Sequence, residues 1–231
     1  MGGATARRKR TRRPREQREQ EILAAARRVF GAQGFAAGSV AEIAQQAGVV
    51  EGTVYTYFAT KRELLLRVVT DFYEALIRDV EGGVRALRGA ENQLRYLIAR
   101  HVAVFVEDLG ICRLVLSEIR PDPALYGDAV LTLNRRYTAI ALGVIERGMA
   151  TGELRGDLSP TLVRDLIYGG TEHALWRYVF AGAETPVDVL SDALADIVLR
   201  GTLAQEAAGE SAASRIERAV AALERHAEHA T

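Results

Sequence analysis

The chain has 231 residues, 48% of them hydrophobic and 26% charged, with 30 Lys and Arg against 30 Asp and Glu. This composition excludes a disordered chain, and no stretch reaches the roughly 20 uncharged apolar residues that a membrane helix needs. The single cysteine, Cys112, excludes an internal disulfide and is typical of a reducing compartment. The sequence therefore predicts a cytoplasmic protein with one large domain or two small ones and no membrane contact.

The net charge of zero hides an uneven distribution along the chain. Residues 1–70 carry 13 Lys and Arg against 6 Asp and Glu, a net charge of +7, whereas residues 71–231 carry 17 against 24, a net charge of −7. Such a difference between the two parts is typical of a basic segment that binds a polyanion, joined to an acidic remainder. Most of the basic excess lies in a predicted disordered arm at residues 1–14, with the cations Arg7, Arg8, Lys9, Arg10, Arg12 and Arg13. By itself the arm is either a solvated tail or a nucleic-acid contact.

Apolar residues recur at helical spacing nearly throughout the chain, and strand signals are almost absent, so the sequence predicts an all-α fold. Gly34 is expected to stop the first helix, and Ser39 is expected to cap the second, which ends at Gly48. The pair Gly82–Gly83 is expected to break the fourth helix. The predicted N-terminal helices cover about 15–33, 40–47, 52–58 and 60–81.

The remaining sequence also has helical periodicity. Pro121 and Pro123 interrupt the helical pattern, and a long helix is predicted over about 124–149. Ser159 with Pro160, and Thr185 with Pro186, are typical helix starts with a capping residue followed by a proline. The predicted domains are a small helical domain at 15–60, a larger helical domain at 61–206, and a hinge with an extra helix at 207–231.

The segment 39–58 has the residue pattern of a helix-turn-helix. Ala44 supplies the small residue needed where two helix backbones touch, and Gly48 supplies a residue that tolerates positive φ at the corner. Val54 then supplies the apolar side chain that fixes the second helix on the first. An ordinary helical corner with coincidental spacing is the alternative, and the +7 charge of the same part of the chain disfavours it. The pattern predicts that the second of these helices enters a major groove.

On that recognition helix, Val54 and Phe58 are four residues apart and are expected to face inward. Polar side chains are left for the groove, where Tyr and Thr can donate to phosphates or contact a thymine methyl group. Lys61 adds a cation at the start of the next helix. Partial core packing is the alternative for the two tyrosines of this set. The candidates are Thr53, Tyr55, Thr56 and Tyr57.

These motifs resemble the DNA-binding domain of the TetR (tetracycline repressor) family over about 17–65, a fifth of the chain. The shared features are "AA..VF...GF", "S...IA..AGV", "GT.Y.YF" and "K.EL". The resemblance implies three DNA-binding helices, a helical body with a ligand cavity, and a homodimer formed by the last two large helices. It also implies an operator of double-stranded DNA. The Arg-rich arm is not shared by every member of the family, and its expected contact is the DNA backbone or a minor groove. It carries over phosphate or base contacts to Ser39, Thr53, Tyr55, Tyr57 and Lys61.

The predicted effector is small and hydrophobic. A second, weaker resemblance, in "GVIERGMATGELRGDLSPTLVRDLIYGGTEHALWRYVFAG", is to the fatty-acid-degradation (FadR-type) members, and it implies a long-chain acyl-CoA. Other hydrophobic compounds, an efflux or other catabolic operon, and an effector-independent DNA-binding protein remain alternatives. Polar residues among apolar ones suit a ligand cavity, although each of them singly is more often a surface residue or a hydrogen-bonded core residue. The effector candidates are Tyr73, His101, Arg113, Tyr137, His173 and Trp176.

Gly169 and Gly170 would be costly inside a helix without a close backbone contact, either across a dimer interface or within one subunit. A dimer with two recognition helices predicts a palindromic operator, which the effector releases. No sequence signature of an enzyme is present, and no cofactor is expected. The spacing of His226 and His229 could hold a metal, but a solvated helix end is the stronger interpretation.

Overall fold

The computed structural model describes residues 14–182 and 186–204. Within these residues every regular element is a helix, apart from an isolated bridge between Leu154 and Leu203. None of the described helices is long and apolar enough to cross a membrane. The all-α prediction is confirmed. The helices are α1 (Arg15–Ala37), α2 (Val40–Gln46), α3 (Glu51–Tyr57), α4 (Lys61–Ala86), α5 (Ala90–Glu107), α6 (Leu109–Leu114) continued by a π-helical turn (Val115–Ile119), α7 (Pro123–Ala150), α8 (Pro160–Ala181) and α9 (Val187–Thr202).

The chain forms two compact units, and each of them combines two separate segments of the sequence. The head unit contains the described residues up to Phe72 together with Leu109–Leu131. The body unit contains Tyr73–Asp108 and the described residues from Thr132 onward. The chain therefore leaves the body after Asp108, contributes one segment to the head, and re-enters the body at Thr132.

The head unit is built on α1, which packs against α2 and α6, while α2 packs against α3. Ser39 caps α2, because its Oγ accepts a hydrogen bond from the N–H of Glu42 at 3.1 Å. Gly48 has φ +66°, the left-handed conformation that the turn between α2 and α3 needs. The predicted helix-turn-helix is confirmed. The fully buried side chains of the head unit include Ile22, Phe30, Ile43, Val54 and Leu64.

Helix α1 continues beyond its predicted end at residue 33. Gly34 has φ +83° and ψ 175°, which interrupts the helical backbone, and a further turn then runs to Ala37. The glycine therefore ends the regular helix where predicted, and residues 35–37 form a further turn after this kink. Gly38 follows, and its N–H donates to the carbonyl of Gly34 at 3.2 Å. The chain thus reverses direction toward α2 within a few residues.

The predicted break at Gly82–Gly83 is wrong, since α4 continues through both glycines to Ala86. Gly83 lies against the ring of Tyr96 on α5, and a Cβ at this position would overlap that ring. The missing side chain therefore serves close packing between α4 and α5 rather than chain reversal. Gly82 faces open space and has no comparable role.

The body unit is held together by α5, which packs against α8 and α9, and by contacts between α8 and α9. Ser159 caps α8 by accepting a hydrogen bond from the N–H of Leu162 at 3.3 Å, and Pro160 is the first helical residue, as predicted. Pro186 stands at the N-cap of α9, and Thr185 lies outside the described residues. The arm at residues 1–13 and the predicted extra helix at 207–231 also lie outside them.

We expect Gly34→Ala to lower the free energy of unfolding by about 2–3 kcal/mol, because φ +83° with ψ near 180° is a glycine-only region. The added Cβ would also overlap the carboxylate of Glu118. Urea denaturation followed by circular dichroism measures the change. Gly82→Ala is the matched control, and we expect a small gain in stability there because the site is open and helical. Equal losses in the two variants would contradict the assignment.

Candidate functional site

Helix α3 exposes two of the four side chains that the sequence assigns to the groove and partly exposes the other two. Val54 is buried against the head core, whereas Tyr55 is 47% exposed and Thr56 is exposed. Thr53 and Tyr57 are half-buried, so each has part of its surface available. The Thr56 hydroxyl donates to the carbonyl of Gly52 at 3.0 Å, which leaves its oxygen and methyl group for a DNA contact. The cap residue Ser39 at the start of α2 is also exposed.

Tyr57 connects α3 to the beginning of α1. The Arg15 guanidinium carbon lies 5.7 Å from the centre of the Tyr57 ring, a distance typical of a cation–π contact. Arg15 is the first residue of α1, and the basic arm directly precedes it. The arm therefore joins the folded head beside the recognition helix.

Lys61 is held by two contacts that residue patterns do not reveal. Its Nζ donates to the carbonyl of Ala36 at 3.1 Å and lies 4.8 Å from the centre of the Phe35 ring. The ammonium group thus ties the start of α4 to the end of α1. An ammonium has three N–H donors, so hydrogen bonding remains available for a phosphate.

Val50 and Glu51 open α3, and the residue pattern predicts no role for Val50. Val50 is the N-cap and is the most exposed large apolar side chain among the described residues, at 74%. The first residues of a recognition helix are the ones that contact base edges. An apolar side chain at this position suits a thymine methyl group. The signal for this residue is its position just before the helix rather than its residue type.

Three of the predicted effector residues come together in the body unit, in a group that we call the aromatic cluster: Tyr73, His101, Tyr137, Tyr168 and Phe105. His101 Nδ1 lies 3.0 Å from the Tyr137 hydroxyl. The His101 ring packs edge-on against Tyr168, with ring centres 4.8 Å apart, and against Phe105 at 5.4 Å. Tyr73 and Tyr137 pack edge-to-face at 6.4 Å. All five side chains are buried.

The cluster places polar atoms inside an otherwise apolar unit. The Tyr73 hydroxyl donates to Asn134 Oδ1 at 3.4 Å, and the Tyr168 hydroxyl points to the carbonyl of Tyr137 at 3.5 Å. Burial raises the pKa of Tyr168 well above its usual value, which keeps its hydroxyl protonated. The group therefore contains three hydroxyls and an imidazole inside the unit, and each hydroxyl contacts a polar group of the protein.

The structure does not bring His173 and Trp176 to this cluster. Both are exposed on the outward face of α8, where the Trp176 ring packs against Phe180 with centres 4.4 Å apart. Gly169 and Gly170 lie on the same helix, and a Cβ on either would meet no described atom within 4 Å. The described part of the subunit therefore provides no close packing at these glycines. Arg113, the remaining effector candidate, lies on α6 in the head unit.

No group of three or more His, Cys, Asp or Glu suited to a metal occurs in the described ranges 14–182 and 186–204. The pair His226 and His229 lies outside them.

Two family models match the chain along its length. Residues 22–68 match "Bacterial regulatory proteins, tetR family", and residues 88–202 match "Tetracyclin repressor-like, C-terminal domain". The first match covers the helix-turn-helix, and the second covers most of the body unit.

Curated proteins and solved structures give the same result. The uncharacterized HTH-type transcriptional regulator YdeS of Bacillus subtilis is 30% identical over 68% of this chain and 78% of its own length. The fatty acid metabolism regulator protein of Bacillus subtilis is 24% identical over 78% of this chain and 93% of its own length. The crystal structure of the regulator FadR from Bacillus subtilis in complex with stearoyl-CoA superposes with a TM-score of 0.73 at 24% identity, over 79% of this chain and 98% of that one.

The family match over residues 22–68 covers α2 and α3, whose geometry is that of a helix-turn-helix. The match over residues 88–202 and the relatives agree with this assignment. Proteins of this kind are ligand-responsive transcriptional repressors that bind DNA and are not enzymes. The chain therefore belongs to the tetR family of bacterial regulatory proteins.

Proposed function

We propose that the protein is a homodimeric repressor that binds a palindromic operator and leaves it when a long-chain fatty acyl-CoA binds. The observation that carries the DNA-binding part is the position of Arg15 against Tyr57. This contact places Arg15, which directly follows the basic arm, against α3, the helix that exposes Tyr55 and Thr56. Groove contacts from α3 would supply base recognition, and the arm would supply phosphate or minor-groove contacts.

An apolar stripe on the body supports the dimer. Along α8 the exposed positions recur at intervals of three and four residues, so they form one continuous stripe, and two glycines in its middle leave room for close approach of a second helix. An exposed apolar surface of this kind typically marks a protein interface. The side chains of the stripe and of neighbouring α9 are Leu162, Leu166, Trp176, Phe180, Val189 and Ile197. Two heads in one dimer suit half-sites about one helical turn of DNA, or a multiple of it, apart.

The aromatic cluster supports an effector with an apolar chain and a polar group. A thioester carbonyl could accept a hydrogen bond from Tyr137 or from His101, while the surrounding rings would contact an acyl chain. The FadR relative of Bacillus subtilis has been crystallised with stearoyl-CoA. Long-chain acyl-CoA is therefore the effector that we propose, ahead of other hydrophobic compounds.

A gel-shift titration tests both parts on DNA from the promoter region of the gene itself, at fixed salt, with and without oleoyl-CoA. We expect the parent to form a specific complex that oleoyl-CoA weakens by roughly 5–150-fold. Tyr57→Ala and Lys61→Ala should each weaken the complex. If both variants bind as tightly as the parent, the DNA contacts are wrong. If no acyl-CoA weakens the complex, the effector is wrong, and an effector-independent DNA-binding protein becomes the better description.

Removing either of two polar groups of the cluster, the Tyr137 hydroxyl or the His101 imidazole, should weaken effector binding without changing DNA binding. We expect Tyr137→Phe and His101→Phe each to lower the affinity for oleoyl-CoA by roughly 2–10-fold, because each change removes one hydrogen-bonding group. Isothermal titration calorimetry measures the affinity. Tyr96→Phe is the matched control. It also removes a tyrosine hydroxyl, but that hydroxyl donates to the carbonyl of Asp79 and is not part of the cluster. Equal affinities in all variants would remove the cluster from the effector site.

A further inference from the structure

The segment that the head unit takes from the middle of the chain makes one specific contact with the helix-turn-helix. Glu118 lies in the π-helical turn after α6, and its Oε2 accepts a hydrogen bond from the backbone N–H of Phe35 at 2.8 Å. The two residues are 83 positions apart in the sequence. Phe35 directly follows the kink at Gly34, and a Cβ on Gly34 would overlap the same carboxylate. The kink and the carboxylate thus fit each other.

A second contact brings α6 unusually close to α1. A Cβ on Gly110 would lie 2.6 Å from the carbonyl oxygen of Gly31, and one on Gly31 would lie 3.4 Å from the Cα of Gly110. The two helices therefore touch backbone to backbone. Neither glycine has positive φ, so close approach rather than chain reversal accounts for glycine at this crossing.

The wide turn sets the direction of Glu118. The N–H of Arg120 donates to the carbonyl of Val115 at 2.9 Å, a bond across five residues instead of four. The extra residue lies within this turn, so the side chains that the turn contains, Glu118 among them, do not have the directions that a regular α-helix would give them. A change between the wide turn and a regular one would therefore change the direction of the Glu118 side chain.

The junction between α1 and α2 is held from two sides. Glu118 binds the N–H of Phe35, and Lys61 binds the carbonyl of Ala36. Three residues later Ser39 caps α2, which packs against the recognition helix α3. A displacement of this junction would reach α2 and α3 within a few residues.

We propose that Glu118 is a positioning residue for operator binding. Its carboxylate fixes the junction between α1 and α2, and the chain on both sides of Leu109–Leu131 belongs to the body unit. A shift of this segment removes the acceptor from Phe35 and lowers operator affinity. This inference rests on the proposed function, because it assumes that α3 binds the operator.

Two substitutions of Glu118 distinguish the effect of its hydrogen-bond acceptor from the effect of its side-chain volume. Glu118→Gln keeps an oxygen that can accept from Phe35, so we expect operator affinity within about threefold of the parent. Glu118→Leu keeps a similar volume without an acceptor, and we expect affinity about tenfold lower. Fluorescence anisotropy with DNA from the promoter region of the gene, without effector, measures the operator affinity of both variants. Of the two Glu118 variants, only Glu118→Leu should show fast amide exchange at Phe35. Val29 in the α1 core should keep its protection in both.

Gly110→Ala tests the same segment from its other contact. The new Cβ would displace α6 from α1, and we expect about tenfold weaker operator binding together with faster exchange at Phe35. Gly82→Ala is the matched control and should bind like the parent. If Glu118→Leu does not fold, Gly110→Ala still tests whether this segment positions the helix-turn-helix.

The outcomes separate this inference from the proposed function. If the parent binds no specific DNA, the proposed function fails. If the parent binds and Glu118→Leu and Gly110→Ala bind equally tightly, Glu118 has no positioning role. Weak binding by Glu118→Gln equal to that of Glu118→Leu would also overturn the proposal, because an acceptor at this position would then be insufficient.

Discussion

Leu166→Glu should convert the protein to a monomer and weaken operator binding by roughly 100-fold or more. Leu166 is 60% exposed in the middle of the apolar stripe on α8. A carboxylate there is fully solvated in the monomer, whereas a dimer through this stripe would bury it without a partner. Two linked heads bind two half-sites far more tightly than one head does, and a monomer does not have that advantage. Sedimentation velocity should show the mass of one 25.2 kDa chain rather than of two.

Val106→Glu is the matched control for this substitution. Val106 is also a large apolar residue, 50% exposed, but it lies on α5 and outside the stripe. Because both sites are exposed in the single subunit, we expect each variant to fold and to retain the helical circular dichroism of the parent. A dimeric Leu166→Glu variant with full operator affinity would show that α8 is not the interface. Dissociation of both variants alike would show that the effect is not specific to the stripe.

The helix-turn-helix is closely predictable from sequence because its determinants are local. Ser39, Gly48 and Val54 lie within sixteen residues, and each is recognisable by one property: a capping oxygen, a tolerance for positive φ, or an apolar side chain at the right interval. The start of α8 at Ser159 and Pro160 is predictable for the same reason. These features depend on a residue and its immediate neighbours, which a single sequence displays.

The contacts that organise the head unit depend on residues far apart, and no local pattern indicates them. Residue type predicts that Gly34 ends the regular helix, but it does not reveal that the carboxylate of Glu118, 84 positions later, lies beside this glycine. It likewise predicts a break at Gly83, although the partner of that glycine is the ring of Tyr96. At Gly34 the residue type marks a backbone conformation that favours glycine, whereas at Gly83 it marks a position where a side chain would not fit. The requirement itself is set by a packing partner that residue type cannot name.

The effector candidates show the same limit. Tyr73, His101 and Tyr137 stand in the sequence as isolated polar residues, and the fold brings these three together. Trp176 has the same appearance in the sequence, yet the fold exposes it on α8. Helical spacing gives the face that a residue occupies relative to its own helix. It does not say which face is covered by a neighbouring helix, so an apolar wall and an exposed stripe look alike in sequence.

The uneven charge of the chain leads to a second large effect, the dependence of operator binding on salt. Each phosphate that a cation neutralises releases a counterion, which makes the slope of log affinity against log salt steeper by about 0.9. The arm carries six cations next to Arg15, whose guanidinium lies beside Tyr57 of α3. Arm and recognition helix should therefore meet the same stretch of duplex. With six or more phosphate contacts, affinity should fall by about a thousandfold or more between roughly 50 and 200 mM salt.

Replacing Arg10, Arg12 and Arg13 by Gln should reduce the steepness of that slope by about 0.9 for each phosphate that the arm no longer neutralises, while the order of preference among operator variants stays the same. Anisotropy titrations at several salt concentrations measure both properties. A triple Gln variant of Arg78, Arg85 and Arg88 changes the net charge by the same amount at exposed positions of the body unit, and it should keep the parental slope. Equal slopes in the two triple variants would mean that net charge rather than the arm controls binding. A changed order of preference in the arm variant would instead assign base recognition to the arm, since removing phosphate contacts weakens binding to all sequences alike.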